Sequence, residues 1–137
     1  LYRQKSKFCK KYGFKENKMN KKIYNIGVEA TMEVIGGKWK PIILCNLRYE
    51  TLRPSDLQRK IPEISQKMLI QQLRELEKDN IVTRKVYQEV PPKVEYSLSS
   101  YGKSLGEVLD ILCSWGELHV NHLIEKGENV QLNCNNI

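Results

Sequence analysis

The chain has 137 residues, 40% hydrophobic and 28% charged, which fits one globular domain with a single modest core and excludes a disordered or fibrous protein. No run approaches the roughly 20 apolar residues of a membrane helix and no signal-peptide core is visible, so no membrane partner and a cytoplasmic home are expected. The net charge of +7 is segregated: residues 1–18 carry seven Lys/Arg and one Glu, residues 38–93 twelve basic and seven acidic side chains, and residues 94–137 two basic and six acidic. A basic middle beside an acidic end points to a polyanionic partner better than the total does.

Residues 1–18 are basic and show neither helical nor strand period. Met19 reads as the natural start, with the stretch before it a tag, a mis-called start or a disordered arm. Residues 1–26 are therefore set apart as an N-terminal arm. A short helix over residues 28–35 carries Val28, Met32 and Ile35 on one face, and Gly36-Gly37 ends it. A second helix over residues 38–49 buries Trp39, Ile42, Ile43 and Leu47, with Pro41 tolerable in its first turn and Cys45 a small core residue. An extended segment at 51–53 and a brief helix at 55–60 follow.

The strongest helix signal covers residues 65–80. Ser65 is placed as N-cap, and Leu69, Leu73 and Leu76 recur on one face. Lys67, Gln71, Arg74 and Lys78 form a stripe opposite them. Such a stripe is most often a solvated surface, but Arg and Lys can read guanine and Gln can read adenine. Strands are expected at 82–89 and 94–98, joined through Val90-Pro91-Pro92-Lys93. Two prolines make a stiff, unpaired tip, and Lys93 is expected at its apex, ready for a phosphate.

A last helix is expected over about 101–125, followed by a polar tail at 126–137. Leu105, Leu109, Leu112 and Leu123 form one stripe; Val108, Ile111, Trp115 and Leu118 form another. Two stripes suggest burial on two sides, and a second copy of the chain is the economical partner. His119 and His122 stand three apart, a spacing a metal can use, but a packing role is the simpler reading. No phosphate loop, nucleophile motif or carboxylate pair appears, so neither catalytic residues, metal nor cofactor are expected. Cys9, Cys45, Cys113 and Cys134 are scattered without a CxxC pair, which favours free thiols over a disulfide framework.

The segments GVEATMEVIGGKWKPIIL, ISQKMLIQQLRELEKDNIV and VYQEVPPKVEYSLSSYG resemble the HxlR family of bacterial transcription regulators, a MarR-like branch of winged helix-turn-helix proteins. The resemblance covers residues 27 to about 120. It implies a mostly α fold with a small β-hairpin wing (α+β) and a winged-helix domain over 27–125. It further implies a homodimer through the first and last helices, on a pseudo-palindromic operator in double-stranded DNA. The helix at 65–80 would enter the major groove and the wing at 89–94 would follow the backbone. The expected DNA-facing residues are Ser65, Gln66, Lys67, Gln71 and Arg74, with Arg53 and Lys93 on phosphates. The expected dimer residues are Val28, Met32, Leu105, Val108, Leu109, Leu112 and Trp115.

Ile26-Gly27 stands where the family often has Cys-Pro, so sensing through an N-terminal thiol is not expected. A small apolar effector between the first and last helices is the other candidate signal, its identity unknown. Pro54 replaces a usual Phe, Asn80 a usual Gly, and Ile70 a common small polar residue. A winged helix that binds only another protein is the competing reading, opposed by the polar stripe and Lys93.

Overall fold

The structure, a computed structural model, describes residues 21–133. The basic stretch up to Met19, with Cys9, and the end of the tail, with Cys134, lie outside the described residues. The described elements run α1 (Gly27–Ile35), α2 (Trp39–Leu47), α3 (Pro54–Lys60), α4 (Gln66–Lys78), β1 (Val82–Tyr87), β2 (Lys93–Leu98) and α5 (Gly106–Glu125).

Residues 21–26, read above as part of the arm, lie along α1 instead. Lys22 and the Tyr24 hydroxyl both reach the Glu33 carboxylate, and Glu29 accepts the Ile26 N–H at 2.9 Å. An acid in the first turn satisfies an orphan donor and the helix dipole together. The turn into α2 needs its glycines. A Cβ on Gly36 would stand 2.1 Å from the Met32 carbonyl oxygen, and Gly37 has φ +85°. Pro54 takes the first position of α3, where its missing N–H costs nothing. The expected strand at 51–53 shrinks to one bridge, with Leu52 and Tyr96 exchanging backbone bonds of 2.9 and 2.8 Å.

Helix α4 is defined at both ends. The Ser65 hydroxyl accepts the Met68 N–H at 3.1 Å. At the other end Asn80 takes φ +59°, as a residue tolerant of that region can. The Ile81 N–H then reaches back to Leu76 O and the Asn80 N–H to Glu77 O, both at 2.9 Å. Ile81 and Leu76 are both buried, which closes the motif with an apolar contact. Between these ends Leu69, Leu73 and Leu76 are completely buried against a core that includes Ile43 and Leu44 of α2, Leu57 of α3, and Val82 and Tyr96 of the hairpin.

The hairpin pairs from Val82↔Leu98 to Tyr87↔Lys93, leaving residues 88–92 as an unpaired tip. The two strands differ: on β1 Val82 is buried whereas Thr83 to Val86 are exposed, while β2 lays Val94, Tyr96 and Leu98 against the core. The last helix does not run unbroken from residue 101. Gly102–Leu105 forms a 3₁₀ turn, pinned where the Ser99 hydroxyl accepts the Gly102 N–H at 2.8 Å. A Cβ on Gly102 would stand 2.0 Å from the Ile81 carbonyl oxygen. Helix α5 then outruns the core, with Leu109 its only fully buried residue. Among the described residues no helix is long and apolar enough to cross a membrane.

Candidate nucleic-acid interface

Because α4 buries its leucine face, its opposite face is open. Gln66, Lys67, Ile70, Gln71, Arg74 and Glu75 line one shallow groove along it. Four of the expected DNA-facing residues thus share a surface, with Ser65 capping its start. Arg53 is exposed at the N-cap of α3.

Glu75 is a carboxylate in this groove, and the fold neutralises it from below. Lys40 of α2 is buried, and its ammonium meets Glu75 at 2.8 Å. The Lys40 hydrogen bond, followed by its charge, holds the Glu75 carboxyl below the usual carboxylate range. The groove therefore presents Lys67 and Arg74 without an uncompensated acid beside them. The pair also couples α4 to α2. A lowered folded-state pKa adds stability that is fully present above the ordinary carboxylate value and is lost as pH falls through the folded one. Glu75→Gln is expected to lower the melting temperature near pH 7 and to flatten the loss of stability towards about pH 3. Melts at both pH values check this; an unchanged acid limb would show that the pair contributes nothing to it.

The wing differs from expectation. Lys93 is not at the apex: it is the first residue of β2, opposite Tyr87, with residues 88–92 beyond it. Its ammonium pairs with Glu95 at 2.9 Å and lies 4.8 Å from the Tyr87 ring centre. Cross-strand register places a cation, an acid and an aromatic ring together, so the charge folds back instead of projecting. Lys93 holds the Glu95 carboxyl below its usual range, and the Tyr87 hydroxyl donates to the same carboxylate at 3.1 Å. The exposed cations of the wing are Arg84 and Lys85 on β1, the ammonium of Lys85 also lying 4.7 Å from the Tyr87 ring centre but without a carboxylate partner among the ion pairs of the described residues. The Val and Thr of that strand mask them in the sequence, where two adjacent basic residues before a hairpin tip are the available signal.

The expected dimer residues divide. Leu109 is fully buried in the chain's own core and is withdrawn from that surface. Leu105 and Val108 pack partly against the same core. Val28, Met32, Leu112 and Trp115 are exposed, as are Ile111 and Leu118, which the shorter set left out. Trp115 and His119 stack with centroids 5.1 Å apart. The expected effector space between first and last helices is a cavity of about 210 Å³ between α1 and the 3₁₀ turn, lined in part by Ala30, Val34 and Leu105. That is below the size of most small-molecule sites.

Cys45 and Cys113 are free thiols, as expected, and Cys45 packs at the edge of the core. Cys45 is only half-buried, and its sulfur lies 3.9 Å from that of Cys113 in the same chain. At about 100° per residue, Cys113 shares the side of α5 that carries Leu109 and lies opposite the Ile111/Trp115/Leu118 stripe.

A family profile described as HxlR-like helix-turn-helix matches residues 34–124. The relative described as the uncharacterized HTH-type transcriptional regulator YtcD of Bacillus subtilis (strain 168) is 61% identical over 105 residues, covering 77% of this chain and 83% of the relative. The crystal structure of ytcD is 58% identical with a TM-score of 0.67, covering 70% of this chain and 98% of that one. The redox regulator HypR in its oxidized form is 48% identical with a TM-score of 0.65, covering 67% and 95% respectively. A MarR-family regulator from Porphyromonas gingivalis W83 is 34% identical with a TM-score of 0.66, covering 72% and 96%.

Proposed function

Because this chain belongs to the HxlR-like helix-turn-helix family and is a transcriptional regulator with a helix-turn-helix DNA-binding fold, we propose that it acts as a homodimer on a pseudo-palindromic operator. In this reading α4 enters the major groove, and Gln66, Lys67, Gln71 and Arg74 meet base edges or nearby phosphates. Arg53 and the wing lie on the backbone. The wing's phosphate contacts fall first to Arg84 and Lys85, because Lys93 is already engaged by Glu95. The dimer forms through α1 and α5 and sets the half-sites about one helical turn apart. The single observation that carries the proposal is the groove on α4, basic because Lys40 neutralises its acid.

The test is a mobility shift on the DNA upstream of the protein's own gene and its divergent neighbour, at several salt concentrations. Arg74→Ala should cost roughly 1–3 kcal/mol on the operator and relax sequence preference. Arg84→Ala and Lys85→Ala should each weaken all sequences alike and reduce the salt slope by about one. Unchanged binding in all three, with the fold intact, sinks the placement. Absence of any salt-dependent shift favours a winged helix used only to bind protein.

A further inference from the structure

Helices α2 and α5 meet through two side-chain contacts spaced about one turn apart. Arg48 forms a two-pronged ion pair with Asp110, its second bond 2.8 Å long. Three residues earlier on α2 and three later on α5, the sulfurs of Cys45 and Cys113 approach to 3.9 Å. These cysteines are 68 residues apart in sequence, so only the packing of the two helices brings them together. The ion pair joins the same two helices. A cleft of about 390 Å³ opens beside the sulfurs, lined by Pro41, Ile42, Asn46, Lys60 and Leu112.

We propose that Cys45 and Cys113 are a modification site for two-electron oxidants of the hydroperoxide class, closing to a disulfide within one chain. A disulfide needs sulfurs about 2.0 Å apart, so the pair must close by roughly 2 Å, within the reach of side-chain rotation. The two thiols take different parts. Cys113 is exposed and meets the oxidant first. Burial, with Cys113 close by, pushes the Cys45 thiol up to about 11, so Cys45 stays protonated and waits as the resolving group.

The steps balance. The Cys113 thiolate attacks the outer peroxide oxygen; the O–O bond breaks, the alkoxide leaves and takes up the proton the thiol lost. Cys113 is now a sulfenic acid and the hydroperoxide an alcohol. The Cys45 sulfur then attacks the Cys113 sulfur; the S–O bond breaks, and hydroxide leaves with the Cys45 proton as water. Two thiols lose two electrons and the hydroperoxide gains them. Cys113 lies on the side of α5 away from the Ile111/Trp115/Leu118 stripe, with Leu112 between the stripe and the cleft. The disulfide stands whether or not the operator reading holds.

The experiment treats the reduced full-length chain with tert-butyl hydroperoxide, then alkylates it. Intact mass, non-reducing gels and peptide mapping follow. The expected product has lost two hydrogens, migrates as a single chain and yields a Cys45–Cys113 linked peptide, at a rate independent of protein concentration. In Cys45→Ser the linked peptide disappears and dimedone labels Cys113. In Cys113→Ala, with unchanged circular dichroism, Cys45 remains alkylatable. A bond between the two sites of different chains, a bond from either to Cys9 or Cys134, or retention of both free thiols would overturn the proposal.

Discussion

Replacing Trp115 and Leu118 together by glutamate is expected to convert the proposed dimer into a folded monomer that holds the proposed operator weakly. Both side chains are about two-thirds exposed, at 64% and 65%, so neither supports the core of its own chain. Ile111 shares their side of α5, and Val28 and Met32 of α1 are exposed as well, apolar side chains of the kind monomers seldom leave open in number. A tryptophan alone can bury on the order of 150–250 Å². A two-fold interface counts every substitution twice, and central aromatic anchors are commonly worth about 2 kcal/mol or more. The dimer constant should weaken by roughly a hundredfold or more. Sedimentation velocity reads this directly, and circular dichroism should show the same helix content. A wild-type chain that sediments as a monomer at micromolar concentration removes the interface altogether.

Leu73→Ala should be strongly destabilising, as a truncation of Leu69 or Leu76 should be. Leu73 is completely buried, flanked by Leu69 and Leu76 on the face that meets α2 and α3. Removing a buried leucine from such a place costs about 2–5 kcal/mol, lost transfer energy and cavity together. Urea denaturation at fixed protein concentration measures it, since dimerisation would otherwise shift the midpoint. Ile70→Ala is the matched comparison. Ile70 is only partly covered and lines the groove, so stability should change little while sequence preference shifts, for instance by loss of a thymine-methyl contact. A Leu73→Ala midpoint equal to that of Ile70→Ala would mean that the leucine face is not the buried one.

Much of this was legible from local pattern. The leucine period, the Ser65 cap, the glycine pair and the two β-rich runs each act within a few residues, and there sequence and fold agree. Asn80 kept the helix stop because its φ requirement is also local. What escaped depends on distant partners. Lys93 turns inward because register sets it beside Glu95 and Tyr87. Leu109 lies in the core because α5 begins only after the 3₁₀ turn, which fixes the face it shows inward. No spacing rule connects Cys45 to Cys113, nor Lys40 to Glu75. Those pairs exist only once α2 has been packed against α4 and α5.

If α4 reads DNA as proposed, the buried Lys40 also sets how interchangeable that helix can be. A recognition helix is often imagined as a cassette: exchange its outward residues and the binding preference follows. Here the cassette carries a peg. Any transplanted α4 that brings a neutral or basic residue to position 75 strands a desolvated ammonium beneath it. The graft would then be judged on folding before it is judged on specificity. Exchanges confined to positions 66, 67, 70, 71 and 74 leave the peg in place. Re-targeting this scaffold is therefore a matter of five side chains above a fixed ionic joint, not of a whole helix.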